Sequence, residues 1–171
     1  MLQKKILIIA NNPLSDTNSN GRTLKNFFGA EDRDKLAQMY IHGGVPDFAA
    51  CNQYFRVSDR DVLGAFLRRT SAGRKVEVNE VEAISCEVAT AKGSKKTPFR
   101  MLVRSFLWEC RVWRKRFYQW VESVNPEAVL LQAGDSPFLY LLARKIAKSR
   151  NIPLVIYNSE DYCFQKKNYM Y

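Results

Sequence analysis

Three short polar clusters carry the residue types from which a binding or catalytic site is built. The first is the loop from Asn11 to Gly21, which runs into Asn20-Gly21-Arg22. The second is Ala133-Gly134-Asp135-Ser136, and the third is Asn158-Ser159-Glu160-Asp161. The carboxylates of Asp135, Glu160 and Asp161 suit hydrogen bonding to sugar hydroxyls, or accepting a proton. Arg22 suits neutralising a phosphate, because the glycine beside it lets a ligand come close to the backbone. Each cluster also has an ordinary structural use. Asp135 and Ser136 can cap the helix that follows them, and Asp161 a later one. A cap needs only one member of the Glu160–Asp161 pair.

Several chemistries are excluded at once. The Asn-Gly-Arg loop is neither a Walker loop nor a G-x-G-x-x-G turn, which argues against P-loop nucleotidases and NAD enzymes. His42 stands alone, so this chain holds no histidine cluster for metal or triad chemistry, and before Gly43-Gly44 it reads as a loop residue. Cys51, Cys86, Cys110 and Cys163 have neither zinc-ligand nor redox-motif spacing and read as reduced, packed thiols. No metal is expected. The apolar run after Lys4-Lys5 is too short for a signal peptide, and no stretch reaches the length of a membrane span. The expected location is the cytoplasm, with a peripheral position on a membrane as the variant. The chain carries 27 Lys and Arg against 17 Asp and Glu, a net charge of +10, so anionic partners are favoured.

The elements that must hold the three clusters follow from periodicity. Ile6 to Ala10 is a continuous apolar run, as in a parallel strand buried on both faces. Gly21 to Phe28 is expected as a helix, capped by Asn20 and ended by Gly29. Leu36 to Ile41 and Asn52 to Val57 read as strands. Ser58 and Asp61 make a capping-box start for a helix bearing Val62, Leu63, Phe66 and Leu67. Residues 68–97 lose the pattern and read as a mobile basic insertion, with one strand near Ala83 to Val88. Thr97-Pro98 opens a helix expected to run unbroken to Val124, stopped by Asn125-Pro126. Phe99, Leu102, Val103, Phe106, Cys110, Trp113, Phe117, Trp120, Val121 and Val124 would form its core stripe. Beside the stripe lies a ridge of Arg100, Arg104, Arg111, Arg114 and Lys115, and beyond it Trp108. Basic residues next to an exposed Trp suit an acidic membrane surface, whereas a solvated face with Trp108 packed on a loop is the plainer reading. Ala128 to Gln132, a helix from Ser136-Pro137 and Leu154 to Tyr157 form a βαβ unit. Strand and helix alternate throughout. The expectation is one α/β domain over residues 1–171, Rossmann-like, in three layers with a mostly parallel sheet. Its three polar clusters then share the carboxyl edge of the sheet, where ligands bind in such folds.

The run Lys4-Lys5-Ile6-Leu7-Ile8-Ile9, the Asn-Gly-Arg loop, Asp59-Arg60-Asp61-Val62-Leu63, and the stretch from Asn125-Pro126 through Asn158-Ser159-Glu160-Asp161-Tyr162 resemble bacterial glycosyltransferases. The similarity is to the amino-terminal half of retaining enzymes with two Rossmann-like domains, the GT-B architecture. The resemblance implies an acceptor-binding domain for a nucleotide-sugar-dependent hexosyl transfer. The product would be a capsular or exopolysaccharide, or a lipid-linked glycan. It implies a nucleotide sugar as donor substrate, no other cofactor, and a donor-binding carboxy-terminal domain that is missing here, so the fragment would not turn over alone. Asn20, Gly21 and Arg22 would close over the donor phosphate, and Asp135, Ser136 and Asn158 would meet a sugar or lipid-linked acceptor. Asn158 stands where many members have a histidine, which leaves Glu160 or Asp161 as the catalytic substitute. The ridge Arg100, Arg104, Trp108, Arg111 and Lys115 would face an anionic membrane. Two rivals stand beside this reading. One is a non-catalytic α/β binding module. The other is a nucleic-acid binder, disfavoured because the basic residues sit on one helix and one insertion and form no continuous stripe.

Overall fold

Leu7, Ile8, Ile9 and Ala10 are completely buried in strand β1, Ile6–Ala10, which lies inside the sheet. The computed structural model describes residues 2–84, 98–110 and 112–158. The other strands are β2 (Leu36–Tyr40), β3 (Gln53–Arg56), β4 (Arg74–Val76), β5 (Ala128–Gln132) and β6 (Leu154–Tyr157). Their order across the sheet is β4-β3-β2-β1-β5-β6. All neighbours are parallel except β3 and β4, where Tyr54 faces Val76 in an antiparallel pair.

A parallel sheet needs cover on both faces, since its strands are apolar on both. One face carries helices α2 (Asp59–Arg68), α3 (Pro98–Glu109), α4 (Lys115–Val124) and α5 (Pro137–Arg150), packed with Leu7, Ile9, Val129 and Leu131. The other carries α1 (Ser19–Lys25), the connection from β2 to β3 and the helical residues 81–84, whose Leu24, Cys51 and Ile84 pack with Ile8, Tyr40 and Tyr54. This is a three-layer, Rossmann-like α/β domain.

The local signals set most boundaries. Ser58 and Asp61 form the capping box of α2, with Ser58 Oγ accepting the Asp61 N–H and Asp61 accepting the Ser58 N–H. Pro137 opens α5, and Asn125 and Asn151 end α4 and α5 in the left-handed region at φ 50 and 54. The cap of α1 is Asn18, not Asn20: Asn18 Oδ1 accepts the Gly21 N–H at 2.6 Å, and the helix stops at Lys25, before Gly29. The basic stretch is not patternless, since Arg74–Val76 supply the edge strand β4. Residues 81–84 are helical, so the expected strand is not found at Ala83 and Ile84; its remainder lies outside the described residues.

The largest departure is the long helix. α3 ends at Glu109, a 3-10 turn covers Val112–Arg114, and α4 begins at Lys115. Side chains from the turn satisfy the carbonyls left open by the break. Trp113 Nε1 donates to the Trp108 carbonyl at 2.9 Å, and Arg114 Nη2 donates to the carbonyls of Trp108 and Glu109 at 2.8 and 3.0 Å. The break changes the phase of the apolar stripe. Phe117, Trp120, Val121 and Val124 are buried in α4, as the stripe requires. In α3 the same stripe faces outward, with Phe99 76% and Leu102 62% exposed.

Candidate functional site

The chain leaves the neighbouring strands β1 and β5 in opposite directions. From β1 it passes through α1 to β2, and from β5 through α5 to β6, with α1 and α5 on opposite faces of the sheet. Such a switch point opens a crevice beyond the carboxyl ends of the two strands. Asn11 is the first residue after β1, and Gly134 and Asp135 lie two and three residues after β5.

The two loops touch there. Asn11 Nδ2 donates to Asp135 Oδ1 at 3.3 Å. The approach depends on Gly134, where a Cβ would lie 2.3 Å from Asn11 Nδ2. The Asn11 carbonyl accepts the His42 N–H at 2.8 Å and the Ile41 N–H at 3.3 Å, so the end of β2 joins the same rim. On the other side the Ala133 N–H donates to the Tyr157 carbonyl at 2.8 Å, which sets Asn158, exposed, beside the β5 loop. Asn11, His42, Asp135 and Asn158 therefore share one edge of the molecule.

Two devices hold the rim in shape. Gln38 is fully buried in β2; its Oε1 accepts the Leu14 N–H at 2.7 Å and its Nε2 donates to the Asn12 carbonyl at 3.0 Å. Lys25 Nζ lies 2.6 Å from both Asp16 and Asp47, joining α1, the first loop and the loop after β2. Hydrogen bonds to Asp16 and Asp47 raise the Lys25 pKa against the opposing effect of burial. Burial pushes the Asp47 carboxyl up, but Lys25 and the backbone N–H groups of Ala49 and Ala50 carry it below its ordinary value.

The sequence-derived candidates divide. Asn20 is at the rim, its carbonyl accepting from Gln132 Nε2 at 3.2 Å. Gly21 is buried; a Cβ on it would lie 2.3 Å from the Pro13 carbonyl oxygen, and its N–H is held by Asn18. Arg22 Nη2 donates to the Asp16 carbonyl at 2.5 Å. In this loop the glycine admits the chain's own backbone. Ser136 is buried under Arg104, whose Nη1 donates to its Oγ at 3.4 Å, so it is not presented to an acceptor. Glu160, Asp161 and Arg111 lie outside the described residues, as does the side chain of Arg100.

The cationic ridge is corrected at Arg104 and Trp108. Trp108 is 1% exposed, stacks on Phe138 at 4.5 Å and donates from Nε1 to Asp59 Oδ1 at 2.7 Å. Arg104 is ion-paired with Asp59 at 2.9 Å and faces the same way. Neither is available to a membrane, because the phase change turns this side of α3 inward. Lys115 is exposed, on α4 beyond the break.

A cleft of about 590 Å³ lies at the opposite, amino-terminal edge of the sheet, lined by Lys4, Asn125, Glu127, Arg150 and Asn151. The helix ends there are carboxyl ends, whose dipoles disfavour anions, and the rim at the switch point is the better candidate. The Cys51 thiol is pushed up to about 12 by burial and donates to the Leu36 carbonyl, so it is an inert packing group. Among the described residues no group of three His, Cys, Asp or Glu side chains could hold a metal, and no helix is long and apolar enough to cross a membrane.

In the sequence Asn11 is placed at the rim only as the start of the first polar loop and His42 only as a loop residue, and neither is singled out as a site residue. The signal for Asn11 is its place one residue past the strand at which the sheet order reverses, which needs the topology. No family model, no curated protein and no solved structure matches the chain.

Proposed function

We propose that this domain binds the hydroxyls of a sugar acceptor at the rim where Asn11 and Asp135 meet. The domain would be the acceptor-binding part of a nucleotide-sugar-dependent glycosyltransferase of bacterial surface-glycan or lipid-linked glycan synthesis. The observation that carries the reading is the 3.3 Å contact of Asn11 Nδ2 with Asp135 Oδ1 at the switch point. The Asp135 carboxylate accepts and the Asn11 amide NH2 donates, and set side by side they match a pair of vicinal hydroxyls. The resemblance of the strand and loop sequences to the amino-terminal half of GT-B enzymes supports the choice of ligand. In this reading the acceptor binds to this domain and the donor to a separate one.

The test is an NMR titration of labelled chain with methyl glycosides, short oligosaccharides and nucleotide sugars. Shifts are expected at Asn11, His42 and Asp135, with affinity lowered about tenfold in Asp135→Ala through the loss of one charge-assisted hydrogen bond. The absence of rim shifts with every saccharide overturns the reading. A second reading, a binding module with no transfer role, is favoured by the internal engagement of Gly21 and Arg22. Saccharide shifts at the rim with none from nucleotide sugars, also in the presence of a donor domain, would select it.

A further inference from the structure

α3 presents an apolar stripe outward. Phe99, Leu102, Val103 and Phe106 recur at helical spacing and are all exposed, because Arg104 and Trp108, fixed on Asp59, hold the opposite side of the helix against the domain. α2 carries a second outward stripe, Leu63, Phe66 and Leu67. The rings of Phe66 and Phe106 meet edge to face at 6.3 Å and join the two stripes into one patch. A large aromatic side chain has about 150–250 Å² to bury, so Phe99, Phe106 and Phe66, exposed by 76, 61 and 40%, present about 250–450 Å² between them. The four aliphatic residues bring the patch close to the ~800 Å² that each partner contributes to a standard interface. The largest patch on an ordinary monomer is about 300–600 Å².

Charge narrows the choice of what covers it. The chain carries +10 and so repels itself. Two copies can meet only where charge is locally balanced, and this face is such a place. Asp59 is paired with Arg104. Arg60, seven residues before Leu67, shares its phase on α2, and Glu109, seven residues after Leu102, shares its phase on α3. Both are exposed, so the margin of the patch holds one cation and one anion. A basic margin would select an acidic partner and an acidic margin a basic one. A margin with one charge of each sign selects neither and complements a second copy of itself, since in a two-fold contact the same patch serves both sides. An aromatic-rich centre with its charges at the rim is also the composition of a protein–protein contact.

We propose that the α2–α3 face is the contact of a two-fold symmetric homodimer, in which two helices from each copy bury their stripes against one another. Phe99, Leu102 and Phe106 are its central anchors. The contact forms whatever the rim binds.

The test is sedimentation equilibrium of the full chain. A dimer with a dissociation constant in the micromolar range is expected. Leu102→Glu with Phe106→Glu should weaken it at least about a hundredfold, about tenfold for each anchor replaced by a charge. Val155→Glu should leave it unchanged, because Val155 is exposed beside Leu130 on the other face of the sheet. Added salt should tighten the dimer by screening the repulsion between two +10 chains. Circular dichroism checks that the variants fold. Should the double variant not fold, Leu67→Glu takes its place, since so exposed a side chain supports little of the monomer's fold, and about a tenfold weakening is expected. A monomer at every concentration up to about 100 μM, a dimer unchanged in the folded variants of the face, or a dimer lost in Val155→Glu overturns the proposal. So does a dimer that salt dissociates, which would assign the contact to charge.

Discussion

Arg104 Nε stands 2.9 Å from each carboxylate oxygen of Asp59, and Trp108 Nε1 donates to the same carboxylate at 2.7 Å. One acid on α2 thus fixes which side of α3 faces inward. Asp59 itself is half exposed, so the ion pair is a modest contributor. The indole N–H is the stronger claim, because Trp108 is buried and loses its acceptor if the carboxylate goes.

Asp59→Ala is therefore expected to destabilise the fold by about 1–3 kcal/mol, the penalty of an unpaired buried donor. Asp59→Asn keeps an acceptor for the indole and should lose less. Urea unfolding of both variants checks the order, and equal losses would assign the effect to the ion pair.

Two glycines give a paired prediction at the rim. At Gly134 an added Cβ meets the end of the Asn11 side chain, which can swing away. Gly134→Ala should change stability by less than about 1 kcal/mol while shifting the Asn11 side-chain amide in NMR spectra. At Gly21 the added Cβ meets the Pro13 carbonyl, which belongs to the backbone and cannot. Gly21→Ala should cost about 1–3 kcal/mol. Equal stability losses would remove the distinction.

The Lys25 bridge predicts a pH window. The Asp47 pKa is lowered by folding, so its contribution is present above about pH 3.8, the ordinary value, and lost as pH falls through the folded value below it. The Lys25 pKa is raised, so its contribution is present below pH 10.5 and lost as pH climbs through the folded value above it. The melting temperature of Lys25→Met should lie below that of the wild type by a constant margin between these limits, and the two should converge outside them. A margin that changes steadily across neutral pH would contradict the bridge.

The elements with local stop and start chemistry were legible in the sequence. The capping box at Ser58, Pro137 at the head of α5, and Asn125 before Pro126 each set a boundary with groups a few residues apart. Strands β1, β2 and β5 were legible because an apolar run in the middle of a parallel sheet admits few alternatives. The inversion of α3 was not. Period 3.6 runs unbroken from Phe99 to Val124, and the partner that chooses the inward face, Asp59, lies 45 residues from Arg104. The strand Arg74–Val76 was missed for a related reason, since three residues among basic neighbours carry no alternation. At the rim, the shared edge of the polar loops could be reasoned from a parallel sheet. The contact of Asn11 with Asp135, 124 residues apart, could not. Gln38 did leave a trace, as the one polar residue in Leu36-Ala37-Gln38-Met39-Tyr40, and the structure supplies its reason in the backbone of the first loop.

The joint between α3 and α4 has a bearing on how this chain tolerates change. Each helical residue turns the chain by about 100°, so gaining or losing two positions at the joint would swing α3 about its own axis by about 200°. Guanidinium and indole would then roll toward water and the phenyl rings toward the sheet. Substitutions along α3 adjust the outer surface by degrees, but a two-codon insertion or deletion at the joint would exchange its inner and outer sides in a single step.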